Sequence, residues 1–405
     1  MEQVKIRRNL FVDYFFLVFV ILWSGGLVTY GLINNWQYVM FFLISIVFFN
    51  RKLAVESINL ATIGVFAIVA LLHSVVFSGP FTSIFAPVLG LVDVAMIAVI
   101  LRPRFNYLFI KISFFFAVIS LCFWVIDIIP SGHDFLWNTA KQLPQLGRDI
   151  LESSKENDSG IQQYTLYFYS VRTGYEVGDF YSVARNSGPF YEPGRFTILL
   201  TITLALILFN DSLKKYKKEF FCILVADITT FSTTGYIVFI LMLVSYFIGR
   251  GRKLSLGSVV LLLLLYVVAY YVLQTSFMGE KIVKALDQAD IANTRFGAMY
   301  YHWTQIIQSP WIGYGVFLEK RFTLLELSPC GITDMMRIWG IPLFGICVLL
   351  LFRGTKAIMV NNIMYKLSFV LVLLLLAYTQ TIMNQPLYCL FYFIGSEKYL
   401  YESKK

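Results

Sequence analysis

Charged residues are scarce in this chain. Only 14% of its 405 residues are charged, whereas 58% are hydrophobic. Soluble domains carry about 25% charged residues, so this composition excludes an ordinary soluble globular protein. The hydrophobic residues come in runs of about 20, a length that crosses a lipid bilayer as a helix. The sequence therefore predicts an all-α polytopic membrane protein with one integral membrane domain over residues 1–405.

Cysteine and histidine are also few, with five and three residues. The chain has no C-x-x-C pair, and Cys330 is the only cysteine outside the hydrophobic runs, which excludes a disulfide within the outer loops. The histidines, His73, His133 and His302, are widely separated. We therefore expect no metal site and no cofactor. The first hydrophobic run is too long for a cleaved signal peptide, so we expect it to remain as the first span.

Hydrophobic runs predict about twelve transmembrane helices. They lie at residues 10–30, 36–50, 58–78, 82–101, 106–129, 194–210, 219–232, 235–249, 255–273, 336–352, 366–383 and 386–396. Lys and Arg concentrate in cytoplasmic loops. With the N-terminus inside, most of the 33 basic residues fall in inner segments, so both termini are expected in the cytoplasm. The net charge of +9 then reflects topology, and we expect no nucleic-acid partner.

Two predicted outer segments, residues 130–193 and 274–335, are long for loops and are therefore expected to carry the function. The first contains a predicted short helix, QLGRDILESSKEN, followed by an aromatic-rich stretch. The second contains KIVKALDQAD and then NTRFGAMYYHWTQIIQSPWIGYGV. In both segments the polar residues collect just before the chain returns to the membrane.

The first polar cluster is ARNSGPFYEPGRF, which contains Arg185, Glu192 and Arg195. Pro193 and Gly194 are expected to bend the chain where the next span begins. A helix N-terminus at this point favours an anion. Two interpretations stay open. Either the cluster binds an anionic ligand, or Glu192 caps the helix while the two arginines reach lipid headgroups.

The second polar cluster follows Arg295, which begins a segment with the pattern of an amphipathic interfacial helix. This helix carries His302 and is expected to end before Pro310. Its aromatic neighbours are Trp303, Trp311 and Tyr314. They fit an aromatic belt at the membrane interface. Aromatic rings also stack on sugars, and an arginine beside them binds phosphate through its planar guanidinium.

Three segments resemble motifs of bacterial O-antigen polymerases of the Wzy type. RNSGPFYEPGRF is similar to the family's R-x-x-G-x-F-x-E-P-G segment, and TFSTTGYIVF resembles its T-x-S-T-x-G hairpin, which O-antigen ligases share loosely. TRFGAMYYHWTQIIQSPWIGYGV is similar to the second-loop pattern R…W…P-x-x-G-x-G. The motifs occur in the family's order within roughly residues 184–245 and 293–315, and the predicted topology resembles the family's over the whole chain.

The resemblance implies a glycosyltransferase of the bacterial inner membrane, with a fold like that of type C glycosyltransferases and a periplasmic active site. Its substrates would be oligosaccharide repeat units linked to undecaprenyl diphosphate. The growing chain would leave its diphosphate carrier and join the next lipid-linked unit. The expected partners are this lipid-linked oligosaccharide, the bilayer, a chain-length regulator and a flippase.

By motif position, the resemblance implies that Arg185 and Arg295 bind the diphosphate as catalytic residues. Glu192 is the predicted general base, with His302 as the alternative. The predicted substrate contacts are Arg195, Gly194, Tyr191, His302, Trp303 and Tyr314. Arg148 and Arg172 lie in the first outer segment but outside the motifs, and as solvated charges they are expected to tolerate alanine.

Three other functions compete with the polymerase. An O-antigen ligase would have a histidine after the second-loop glycines, where this chain has SPCGITD, so the role of Asp334 stays open. A polysaccharide or ion-coupled transporter would use carboxylates inside the membrane, such as Asp93 and Asp227, although no inverted repeat is visible. A non-catalytic assembly protein would need neither of the two motif arginines.

Overall fold

The computed structural model describes residues 10–26, 33–77, 82–143, 163–172, 184–250, 295–315 and 330–395. This part of the chain is mostly helical, as predicted. Its helices are α1 (Leu10–Trp23), α2 (Ile33–Asn50), α3 (Ser57–Val76), α4 (Thr82–Leu101), α5 (Phe105–Asp127), α6 (Pro130–Gln142), α7 (Pro193–Phe209), α8 (Lys217–Thr229), α9 (Thr233–Gly249), α10 (Arg295–Gln308), α11 (Gly331–Ile358), α12 (Ile363–Thr379) and α13 (Pro386–Phe393). Its strands are β1 (Gln163–Thr165) and β2 (Ser170–Arg172).

Three helical stretches of the described residues are long and apolar enough to cross a membrane. They are α3, the stretch Phe85–Asp127 that runs through α4 and α5, and α11. Shorter apolar helices accompany them. Large apolar side chains such as Ile68, Val75, Phe115 and Leu349 are exposed on these helices. Extensive exposed apolar surface is unusual for a soluble monomer, so the structure is compatible with a membrane protein, while the total of twelve spans stays a prediction.

Helices lie at eleven of the twelve predicted spans, and the run at residues 255–273 lies outside the described residues. α1 ends at Trp23 rather than at the predicted residue 30. The prediction of a span at residues 386–396 is wrong. The helix found there, α13, has only 8 residues. It is therefore about 12 Å long, against roughly 30 Å for the apolar core of a bilayer. α13 is buried and packs against α4 and α11, so it belongs to the interior of the bundle.

The helix α11 also differs from its prediction. It begins at Gly331 rather than at residue 336, and it is broken at Gly340, whose φ of 82° lies in the left-handed region. Next to this break, the Pro310 carbonyl accepts a hydrogen bond from the Ile341 amide at 2.8 Å. The second outer segment is therefore anchored directly in a helix of the bundle.

The outer segment 130–193 contains a small antiparallel sheet of β1 and β2, which corrects the all-α prediction. The sheet packs against α6, whose Leu136 is buried beside it. Tyr169, just before β2, is buried, and its hydroxyl donates to Asp127 Oδ2 at 2.7 Å. The hairpin is thereby fixed to the end of α5. The predicted helix at residues 145–157 lies outside the described residues.

Ion pairs join the helix ends that the charge pattern assigns to the cytoplasmic side. The pairs are Arg51 with Asp13 (2.6 Å), Arg102 with Glu56 (2.8 Å), Lys111 with Glu219 (2.6 Å) and Arg353 with Glu56. These contacts gather segments rich in Lys and Arg at one end of the bundle. The first polar cluster therefore lies at the opposite end.

α7 occupies the centre of the bundle. Every residue from Arg195 to Phe209 is buried, because α5, α8, α9 and α12 all pack against this helix. A helix that is apolar on all sides is typical of such an enclosed position. α7 begins at Pro193, directly after Glu192, so the first polar cluster sits at the N-terminus of a central and well-fixed helix.

Candidate functional site

The first polar cluster is fixed to α8 by its small polar residues. The Asn186 amide donates to the Thr229 carbonyl at 3.0 Å, and Asn186 Nδ2 donates to Thr229 Oγ1 at 2.9 Å. Asn186 Oδ1 accepts from the Gly188 amide at 3.0 Å. Gly188 has a φ of +52°, and a Cβ there would lie 2.9 Å from the Phe196 ring. The segment therefore requires glycine at this position and is held against the C-terminal end of α8.

The turn between α8 and α9 carries the second motif, TFSTTG. Ser232 is the N-cap of α9, and its Oγ accepts from the Gly235 amide at 3.5 Å. Serine is favoured at this position because its oxygen replaces a missing partner of a first-turn amide. Phe231 reverses the chain with a left-handed φ of 48°. The turn thus places the N-terminus of α9 beside the first polar cluster.

The two motifs enclose a cavity of about 460 Å³. Its wall includes the N-terminal residues of α7 and α9, the C-terminal residues of α12, and the side chains of Arg172, Arg185 and Glu192. The N-termini of two helices, each of 17 residues, therefore lie at the same cavity. Their dipoles and first-turn amides favour an anion there, and the two guanidinium groups add positive charge.

Arg185 joins the two motifs. Its Nε donates to the Thr230 carbonyl and its Nη2 donates to the Phe231 carbonyl, both at 3.0 Å. The side chain is half-buried in the cavity wall. This position does not fit an anchor in lipid headgroups. It fixes the guanidinium group at the turn, where a ligand in the cavity can reach it.

Arg172 is a cavity residue that the sequence analysis placed wrongly in a solvated loop. It is the last residue of β2, and it lines the cavity together with Arg185. Ser170 holds the strand in place, because its amide donates to the Gly188 carbonyl at 2.9 Å and its Oγ to the Phe190 carbonyl at 2.8 Å. The sequence signal for this position was the alternation of side chains along YSVR. Residues two apart in a strand share a face, so Arg172 lies on the same face as Ser170. Arg148 lies outside the described residues.

Glu192 lines the cavity but does not cap α7 with its side chain. Its Oε2 accepts a hydrogen bond from Gln380 Nε2 at 3.2 Å. Gln380 follows α12 and also lines the cavity, which the sequence did not indicate. A Cβ at Gly194 would lie 3.0 Å from Gln380 Nε2, so glycine permits this close approach. The capping interpretation of Glu192 is therefore wrong, and its role as a base stays a prediction.

Arg195 and Tyr191 are not among the residues that line the cavity. Arg195 is buried, and its Nη1 donates to the Ser24 carbonyl at 3.2 Å. Its guanidinium carbon lies 5.1 Å from the centre of the Tyr191 ring. Ser24 directly follows α1, whose C-terminal end favours a cation. Arg195 therefore fastens α7 to α1 in this structure, and substrate contact by either residue stays a prediction.

The described side chains of the second polar cluster lie outside the cavity wall. His302 is buried, and its Nδ1 shares a hydrogen bond of 2.7 Å with Thr333 Oγ1. The Tyr314 hydroxyl donates to the Gln305 carbonyl at 3.3 Å, and Trp303 is exposed. Arg295 begins α10, and its side chain lies outside the described residues.

A buried arginine, which the sequence analysis missed, connects α10 to α11. Arg337 Nη2 pairs with Asp334 Oδ1 at 2.6 Å, and its Nη1 donates to Gln305 Oε1 at 3.0 Å. This ion pair assigns Asp334 a structural role. At the start of the same helix, a Cβ at Gly331 would lie 2.2 Å from the Gln380 carbonyl. The second outer segment is therefore linked to the cavity through α11 and Gln380.

No protein-family model matches the chain, and neither a curated protein nor a solved structure matches it. The likeness to O-antigen polymerases therefore rests on the three sequence motifs. The structure brings two of these motifs together in one cavity, and the third lies on α10, which packs against α11.

Proposed function

We propose that the protein is a glycosyltransferase of the inner membrane that polymerises lipid-linked oligosaccharide repeat units. The observation that carries this proposal is the cavity in which Arg172, Arg185 and two helix N-termini converge. This concentration of positive charge suits the diphosphate of a carrier lipid. The apolar bundle around it suits a substrate whose other end is a long hydrocarbon chain.

The diphosphate is the leaving group of the proposed reaction, so its negative charge grows in the transition state. Fixed cations and helix N-termini stabilise such charge without reorganising during the reaction. Arg185 is held by two backbone carbonyls and Arg172 by a strand that is hydrogen-bonded to the first cluster. The guanidinium group of Arg185 and the strand that carries Arg172 are therefore fixed before the substrate binds. We assign them to the diphosphate, with Arg295 as a third contact that the motif implies.

The acceptor sugar must present a hydroxyl group to the anomeric carbon beside the diphosphate. Glu192 and the hydroxyls of Ser232, Thr233 and Thr197 line the same cavity. These groups can hydrogen-bond to sugar hydroxyls, and we assign Glu192 to orienting the acceptor. The new glycosidic bond forms as the bond to the diphosphate breaks, and the acceptor hydroxyl releases one proton.

Deleting the protein tests this function in the cell that makes it. We expect the surface lipid to carry a single repeat unit and no longer polymer, as resolved by gel electrophoresis of the glycan. Loss of a ligase would instead leave lipid cores without glycan and polymer on the carrier lipid. An unchanged ladder of long chains in the deletion strain would refute the polymerase proposal.

A transporter is the second candidate, and Asp93 favours it. Asp93 is fully buried in α4, and neither carboxylate oxygen has a hydrogen-bond partner among the described residues. Carboxylates in such positions mark ion or proton paths in transporters. Loss of a transporter would leave lipid-linked repeat units on the cytoplasmic side, where added periplasmic glycosidase does not reach them.

A further inference from the structure

Another carboxylate lies next to Thr197, one of the residues that line the cavity. Asp227 belongs to α8 and is 2% exposed. Its Oδ1 has no hydrogen-bond partner among the described residues, and Thr201 Oγ1 lies 3.5 Å from its Oδ2. A buried carboxylate without a cationic partner is costly, and inside a membrane helix it commonly serves a proton path. Asp227 is therefore a group whose position calls for a functional explanation.

Thr197 connects Asp227 to the cavity. Its side chain lines the cavity, and its hydroxyl also interacts with the Asp227 carboxyl group. Thr197 Oγ1 lies 2.7 Å from Thr230 Oγ1, and Thr230 Oγ1 donates to the Asp227 carbonyl at 2.6 Å. The Thr197 hydroxyl therefore donates to Thr230 in the present arrangement. Rotation of its hydrogen redirects it to the carboxylate.

Gly235 makes this close packing possible. A Cβ at position 235 would lie 2.7 Å from Thr197 Cγ2 and 3.3 Å from Asp227 Oδ1. The glycine of the TFSTTG motif therefore leaves room for the threonine and the carboxylate to meet. Among the described residues, Tyr236 on α9 interacts electrostatically with Asp227, and Arg185 of the first cluster interacts with Tyr236.

We propose that Asp227 receives the proton of the acceptor hydroxyl through Thr197, an inference that rests on the proposed function. The acceptor O–H bond breaks and its proton passes to Thr197 Oγ1, while the proton of Thr197 passes to the Asp227 carboxylate. The acceptor oxygen bonds to the anomeric carbon as the bond between that carbon and the diphosphate oxygen breaks, and the electron pair of this second bond leaves with the diphosphate. Glu192 then orients the acceptor, and Asp227 is the base.

The test uses the full-length protein in lipid nanodiscs. The substrate is the undecaprenyl-diphosphate-linked repeat unit extracted from the deletion strain. We expect Asp227→Asn and Thr197→Val each to lower kcat by roughly 100-fold, the lower end of what a general base contributes, with KM unchanged. Both changes interrupt the same proton path, so the kcat of the double variant should be no lower than that of either single variant. Thr203→Val is the matched control, because Thr203 is buried on the same helix but its hydroxyl contacts Ser113 and the Leu199 carbonyl, and it should retain activity near that of the wild type.

A pH profile separates this role from a structural one. A base must be ionised, so the wild-type rate should fall as the pH falls, and Asp227→Asn should lose this dependence. A purely structural carboxylate would tolerate asparagine, which keeps its shape and hydrogen bonds. If Glu192→Gln abolishes the acid limb while Asp227→Asn keeps it, Glu192 is the base and the inference is wrong. An inactive wild-type protein would overturn the proposed function itself.

Discussion

Replacing Arg172 by alanine tests whether the tertiary structure has identified a substrate-binding residue that lies outside every motif. Arg172 and Arg185 line one cavity, but they are held differently. Arg185 donates to two backbone carbonyls of the turn, so Arg185→Ala would leave these carbonyls without their donor. The loss of Arg172 leaves Ser170 and its two hydrogen bonds in place. We therefore expect Arg172→Ala to lower the rate while the fold stays intact.

The size of the effect follows from electrostatics. Two unit charges 4 Å apart interact by about 4 kcal/mol at an effective dielectric constant of about 20. Removing one fixed donor from a developing anion typically costs about 3 kcal/mol, or roughly 100-fold in rate. Arg172 is half-buried, so water partly replaces its charge in the variant, and we expect a loss between about 10-fold and 100-fold. Lysine keeps the charge but loses the planar, two-pronged geometry of the guanidinium group. The rate of Arg172→Lys should therefore lie between the rate of Arg172→Ala and that of the wild type.

The assay is the rate of polymer formation from lipid-linked repeat units in nanodiscs, with thermal unfolding measured in parallel. Arg104→Ala is the matched control, because Arg104 is exposed and lies near the opposite end of the bundle, in a short 3₁₀ helix (Arg102–Arg104) between α4 and α5. Arg185→Ala should lower both the rate and the unfolding temperature. If Arg172→Ala makes polymer as fast as Arg104→Ala does, the cavity does not bind the diphosphate through Arg172.

Three further predictions concern stability and topology. Tyr169→Phe removes the donor to buried Asp127 and should lower the free energy of unfolding by about 1–3 kcal/mol in chemical denaturation. Burial and Asp127 raise the pKa of Tyr169 well above its usual value, so this contribution is present below about pH 10 and is lost only as the pH rises through the higher folded pKa. Gly235→Ala should lower the yield of folded protein, because the added Cβ would clash with Thr197. Gly64→Ala is the control and should not lower the yield, because a Cβ at position 64 would have no atom within 4 Å. Equal yields of the two variants would contradict the packing at the turn. Reporter fusions after residues 160 and 290 should score as periplasmic and those after 216 and 252 as cytoplasmic, and a cytoplasmic score at 160 would reverse the orientation.

The sequence by itself determined the helical class and the position of most helices. Long apolar runs have few ways to satisfy their backbone groups in lipid, and a helix does so locally. Local signals also indicated the N-terminus of α7 at Pro193 and the polar turn before Gly235. The hydrophobic run at residues 386–396 predicted a membrane span, but the structure has a short buried helix there. An apolar run does not reveal whether it faces lipid or the protein interior.

Only the tertiary structure decided which polar residues share the cavity. Arg172, Arg185, the 230–235 turn and Gln380 are far apart in the sequence, and α12 brings Gln380 to the first cluster. The tertiary structure also separates two neighbours of one motif, since Arg195 is buried beside Ser24 and Glu192 lies in the cavity wall. Neighbouring residues of one motif can point in different directions around a helix N-terminus. The partner of each side chain is therefore set by the packing of whole helices, which a local pattern of residues does not encode.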